Sequence, residues 1–255
     1  MTTINYLNQQ VVIFCTLSTQ TTISPYFLGT QSCHAINKLR ILSSHSFRSL
    51  IILGWLSFSA AFAHIIGERW LTASGNHPLV AQWNQLVDSH ADFSTQHKLK
   101  QVNHFFNRNL RYGEDSEIWR SNDYWATPLE SMLLGRADCE DYAIAKYMTL
   151  KVLGVPTEQL RLIYVRAKIG GAHSPISQAH MVLGFYTSPT SAPLILDNLV
   201  DDVMSAEQRT DLTPVFSFND AGLWTGNATS PAASATERLS RWRDLLAKMQ
   251  QEGYE

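Results

Sequence analysis

"GRADCEDYAIAKYMTLKVLGVP", Gly135–Pro156, places one thiol among acids: Asp138, Glu140 and Asp141 flank Cys139. A thiolate is an anion, and neighbouring carboxylates disfavour it. The stretch also reads as a helix. Asp138 is a favoured N-cap residue, Glu140 and Asp141 suit the positive helix start, and Gly154 followed by Pro156 stops the run. Between them Ala143, Ile144, Tyr147, Met148, Leu150 and Leu153 spread apolar character around nearly the whole helix. A helix apolar on every side is buried. The quoted stretch is therefore expected at the centre of the fold, with its thiol at the first turn.

Upstream, "HPLVAQWNQLVDSH" sets Val80, Trp83, Leu86 and Val87 near helical spacing. "STQHKLKQVNHFFNRNL" carries an apolar stripe of Leu99, Val102, Phe105, Phe106 and Leu110, with Ser94 as its cap. His97 and His104 read as solvated or core-edge residues. "RYGEDSEIWRSNDYWATPLE", rich in charge and aromatics, reads as a loop over a site or a lobe boundary, with Trp125 as core packing or a groove wall. Downstream, "RLIYVRA" (161–167), "HMVLGFY" (180–186) and "PLILDNL" (193–199) are strand candidates with short connections, which predicts an antiparallel meander on the Cys139 helix. "SATERLSRWRDLLAKMQQ" predicts a late amphipathic helix docked on the body. Helices followed by strands predict an α+β fold, an N-terminal helical lobe packed with an antiparallel sheet lobe.

The chain has 255 residues, is 45% hydrophobic and carries a formal charge of −2. No acid precedes Glu68, while Lys38, Arg40 and Arg48 do, so the remainder is mildly acidic and gives no electrostatic footing for nucleic acid. The basic residues precede the apolar run "LIILGWLSFSAAFA", which ends in Ala61-Phe62-Ala63, a small-x-small cleavage pattern. The run is shorter than the about 20 apolar residues a spanning helix needs. Residues 1–63 are expected to be an extension and signal segment, removed on export, and 64–255 a single domain. The alternative is an uncleaved anchor. Cleavage would leave Cys139 as the sole thiol, without a disulfide partner in an oxidising compartment, which favours a reactive role over a buried structural one.

A nucleophilic thiol needs a base. The histidines after Cys139 are His173, in a glycine-containing loop, and His180, which opens a strand candidate. The next strand candidate brings Asp197, and neighbouring antiparallel strands can set the two side chains together. Cys139 at a helix start, His180 and Asp197 form an ordered nucleophile, base and orienting acid. The acids allow two readings. They are helix capping and macrodipole partners, or they hold a hard cation such as Ca²⁺, which takes about six to eight oxygens. The EF-hand loop, with its glycine and fixed ligand spacing, is absent.

"GRADCEDYAIAKYMTL", "HMVLGFY" and "LILDNL" together resemble the bacterial transglutaminase-like cysteine proteinases, in particular the LapG-type periplasmic enzymes, from roughly Trp83 to Trp224. The resemblance implies a papain/transglutaminase-like fold, with Cys139 as nucleophile, His180 as general base and Asp197 as orienting acid. It implies Ca²⁺ at Asp138, Glu140 and Asp141. The implied substrate is the N-terminal region of a large surface adhesin, whose release disperses biofilm. The implied partner is the periplasmic domain of an inner-membrane cyclic di-GMP receptor. The periplasm is the expected location, with the protein not membrane-embedded after signal removal. A transglutaminase or peptidoglycan amidase would use the same three residues, and a calcium-dependent binding module would keep them as vestiges.

Overall fold

The computed structural model describes residues 76–226 and 228–254. The signal segment expected within 1–63 lies outside the described residues. Helix α1 (Pro78–His90) starts on a proline and buries Leu79, Val80, Trp83, Leu86 and Val87. Helix α2 (Thr95–Asn109) starts at Ser94, whose side chain accepts the His97 N–H, and buries Leu99, Val102 and Phe106. The polar connection after it is not simply a loop. It holds a two-residue strand β1 (Arg111–Tyr112), a short helix α3 (Asp115–Ile118) and helix α4 (Pro128–Leu134). A capping box fixes the start of α4: Thr127 accepts from the Glu130 N–H while Glu130 accepts from the Thr127 N–H. Gly135, at φ +64°, ends it in the left-handed conformation that glycine adopts without penalty.

Strand β2 (Arg136–Ala137) then pairs in parallel with β1, Arg111 opposite Arg136 and Tyr112 opposite Ala137. Helix α5 (Cys139–Val152) follows directly, and the Asp138 carboxylate caps it by accepting the Asp141 N–H at 3.1 Å. Only Glu140 and Lys151 of α5 are even partly exposed. Trp83 of α1 donates its indole N–H to Thr149 Oγ1 at 2.8 Å, so the helices lock through a polar pair as well as apolar packing. Each fully buried side chain such as Ile144 or Met148 contributes about 1.5–3 kcal/mol of transfer free energy.

Beyond a 3₁₀ turn (Thr157–Gln159), the chain forms β3 (Leu160–Lys168), β4 (Ser177–Phe185), β5 (Leu194–Leu196), β6 (Met204–Ser205), β7 (Leu212–Asn219) and β8 (Gly222–Thr225). They make an antiparallel sheet in the order β6-β5-β4-β3-β7-β8. One face, with Leu162, Met181, Leu183, Leu196 and Phe218, merges with α5 in the main core; the other carries a smaller cluster of Ile163, Val165, Val182 and Ile195. The fold is thus α+β, as the sequence order predicts. The sheet is wider than the three predicted strands. Pro214 argues against a strand in "LTPVFSFN", yet this segment pairs with β3 and shifts register beside Val165, opposite which Pro214 sits. The late helix is broken at Leu239 (φ −113°, ψ 97°) into α6 (Ala235–Arg238) and α7 (Ser240–Gln251), which buries Trp242, Leu245 and Met249. Among the described residues no helix is long and apolar enough to cross a membrane.

Candidate active site

Cys139 lies at the first turn of α5, where helix N–H groups and the dipole favour an anion. The surroundings act the other way. Burial comes first, then the charge and hydrogen bond of Glu140 and the charge of Asp138, and together they raise the Cys139 thiol far above the ordinary thiol range. The backbone N–H of Met181 on β4 is the opposing influence. The Cys139 S–H donates to Glu140 Oε2 at 2.6 Å. In this arrangement the thiol is tied to a carboxylate.

His180 precedes Met181 on β4 and stands opposite Val165 of β3. Its Nε2 lies 2.8 Å from Asp197 Oδ1, with both side chains almost wholly buried. A carboxylate on Nε2 places the ring proton there and leaves Nδ1 as the basic nitrogen. Asp197 lies just past β5, which ends at Leu196, and its Oδ1 also accepts the Leu199 N–H at 3.0 Å. Its second oxygen, Oδ2, accepts from Arg209 at 2.7 Å, and Arg209 is held in turn by both carboxylate oxygens of Asp211. Burial alone would raise Asp197. The His180 hydrogen bond and charge, the Leu199 N–H and the Arg209 charge outweigh it and hold the carboxyl down at about 2.

The turn bearing Asp197 is anchored to the helical layer. Asn107 of α2 donates to the Asp197 carbonyl at 2.8 Å and to Asp201 Oδ1 at 3.0 Å. Lys146 of α5 donates to Asn107 Oδ1 at 2.7 Å. That lysine is fully buried; burial lowers its pKa to about 7 against the raising influence of Asp197 and Asp201.

The acids separate into two groups. Asp138 and Asp141 meet Asp115 of α3, one carboxylate oxygen from each lying within 4.8 Å of the others, all three buried. The β1–β2 pairing brings Asp115 there: the Gly113 N–H donates to the Ala137 carbonyl at 3.0 Å, lacing the two segments side by side. One oxygen of Asp141 accepts the Ala126 N–H at 2.7 Å, and one oxygen of Asp115 accepts the Tyr124 N–H. The other oxygens, Asp141 Oδ2 and Asp115 Oδ1, are buried without a partner. Burial raises all three groups, and for Asp138 and Asp141, where neighbouring carboxylates add to it, to about 9 and about 8. Orphaned buried carboxylate oxygens converging on one point suit a hard dication. Glu140 stands apart from this trio, its carboxylate on the thiol.

The structure thus places Asp138 and Asp141 together, His180 on Asp197, and Cys139 against the residue after His180. His173 takes no part in these contacts, and Trp125 is half-buried, stacked on Phe218 at 5.7 Å between ring centroids. Sequence reasoning missed Asp115, Arg209, Asn107 and Lys146. Asp115 carried a faint signal in the acidic run "GEDSE"; Arg209 carried none, because nothing local distinguishes it from a surface arginine.

A family profile described as "Bacterial transglutaminase-like cysteine proteinase BTLCP" matches residues 80–225. Among solved structures, Legionella pneumophila LapG in EGTA-treated form is 37% identical, with a TM-score of 0.63, covering 72% of this chain and 97% of that one. The calcium-bound form of the same Legionella protein gives 37% identity and a TM-score of 0.63, covering 72% of this chain and 98% of that one. A search of the curated proteins gave no match. With more than half of its length inside the family profile, and 37% identity to a solved structure over 97% of that structure, this chain belongs to the bacterial transglutaminase-like cysteine proteinases.

Proposed function

We propose that the protein is a calcium-dependent periplasmic endopeptidase that cuts the N-terminal region of a large surface adhesin, using Cys139, His180 and Asp197. The observation that carries the reading is the buried His180–Asp197–Arg209 assembly directly beside the residue that touches the Cys139 sulfur. His180 Nδ1 takes the Cys139 proton while Asp197 accepts the hydrogen bond of the Nε2–H and steadies the imidazolium. The thiolate attacks a peptide carbonyl carbon, and N–H groups at the start of α5 stabilise the oxyanion. His180 returns its proton to the departing amine, leaving a thioester. Water attacks the thioester, giving one proton to His180; the acid product leaves and the thiol is restored. Before the first step, the Glu140 carboxylate must leave the thiol.

Asp115, Asp138 and Asp141 would hold Ca²⁺, which, when bound, cancels the negative field around Cys139 and fixes the segment that carries it. The calcium-bound Legionella LapG structure supports this assignment. The leader with Ala61-Phe62-Ala63 supports the periplasm, and the family resemblance supports adhesin as substrate and a cyclic di-GMP receptor's periplasmic domain as partner. The test is incubation of the mature protein with the host adhesin's N-terminal fragment, with Ca²⁺ or chelator, followed by product mass. Calcium-dependent hydrolysis at one peptide bond is expected. Amine incorporation without hydrolysis, or no product with Ca²⁺, overturns the reading.

A further inference from the structure

The sheet face turned away from α5 carries a cavity of about 480 Å³. Ile163, Val165, Val182 and Ile195 form its apolar floor. Arg161 also lines it, only 6% exposed. Its guanidinium is sandwiched between aromatic rings, 4.6 Å from the Tyr186 centroid and 4.0 Å from that of Trp224. Among the described residues no ion pair neutralises it; burial lowers its pKa, and Tyr186 acts the other way through its charge and a side-chain hydrogen bond. Arg161 Nε is buried without an acceptor, and so is the indole Nε1 of the stacked Trp224. Arg209 lines the same cavity, but Asp197 and Asp211 already engage it.

A buried guanidinium without an anion is costly. Here it stands at a chamber of ligand size with an apolar floor, with two aromatic rings against its guanidinium and its own Nε left without an acceptor. We propose that this cavity binds a small apolar monocarboxylate, its carboxylate on Arg161 and its hydrocarbon on the floor of Ile163, Val165, Val182 and Ile195. One guanidinium matches one negative charge. A neutral lipid would leave Arg161 without a counter-charge, and a phosphate monoester would bring a second charge with no partner. The site is separate from Cys139 and does not depend on the reaction proposed above.

The test is isothermal titration of the mature protein with octanoate and, as the uncharged isostere, 1-octanol. Saturable binding is expected, with octanoate about tenfold tighter or more, the contribution of charge-assisted hydrogen bonds. Arg161→Met should erase that preference, and Ile163→Trp, which fills the floor, should block both ligands. Octanoate binding no tighter than octanol, absence of saturation, or a preference that survives Arg161→Met overturns the proposal. If Arg161→Met does not fold, the comparison of the two ligands on the wild-type protein decides alone.

Discussion

Asp197 and Asp141 are both almost wholly buried, at 1% and 0% exposure, yet they sit in opposite electrostatic worlds. Asp197 has a protein partner on each oxygen and is held down at about 2. Asp141 has one backbone N–H, two neighbouring carboxylates and an orphaned oxygen, and is pushed up. The first site is complete within the chain. The second leaves buried carboxylate oxygens without a partner, which the proposed cation would supply. The difference separates the part of the machinery that folding alone assembles from the part that answers to the surroundings.

The sharpest blow is to remove the proposed nucleophile. Cys139→Ala should lower adhesin cleavage by about a thousandfold or more, with an unchanged circular dichroism spectrum and melting temperature. Asp197→Asn should follow at about a hundredfold or more in kcat, because the Nε2 proton loses the acceptor that fixes the tautomer. Arg209→Met tests the same network through stability. It strips Asp197 of its counter-charge and should cost about 3–5 kcal/mol in urea unfolding. Because folding lowers the pKa of Asp197, its contribution is present above about pH 4, the unfolded value, and is lost as pH falls towards about 2.

The dependent side should respond with the opposite sign. In chelator, Asp138 and Asp141 keep protons in the folded state that unfolded carboxylates release above about pH 4. Metal-free stability should therefore fall as pH rises from there towards about 8, the value to which Asp141 is raised. Calcium at a hundredfold excess over its dissociation constant should restore about 2.7 kcal/mol. Asp115→Asn should weaken both the pH slope and the calcium response. Equal melting curves with and without Ca²⁺ would erase the contrast between the two sites. The smallest effect is expected from Asn107→Ala, which loosens the turn under Asp197. A drop of about tenfold in kcat with little change in KM would mark a positioning role.

Much of the frame was legible because its signals are local. Ser94, Asp138 and Gly154 punctuate helices through their own chemistry, and the all-round apolar run after Cys139 announces a buried helix. The strands at 161–167 and 180–186 followed from alternation. "LTPVFSFN" did not, because its proline forbids a regular ladder and only a register shift against β3 accommodates it. At the site, Asp138 and Asp141 were readable as helix-start acids at a spacing that converges. Asp115 reaches them only through the parallel β1–β2 pairing, a non-local event that no window of sequence contains. Arg209 and Asn107 were hidden likewise, since a salt bridge or amide tether is made by the tertiary fold.

Helix α5 presents almost no surface to water, and this has a consequence for how the protein tolerates change. Its residues face core on every side, so nearly every replacement along it should reduce both abundance and cleavage. A mutational scan scored by cleavage alone would paint α5 as one continuous active site. The same library scored by soluble yield should repeat that pattern at Ile144, Tyr147 and Met148 and release it at Cys139. The maps should part company at Cys139 and at the proposed calcium ligand Asp141, marking the chemical end of the helix without any knowledge of the substrate's sequence.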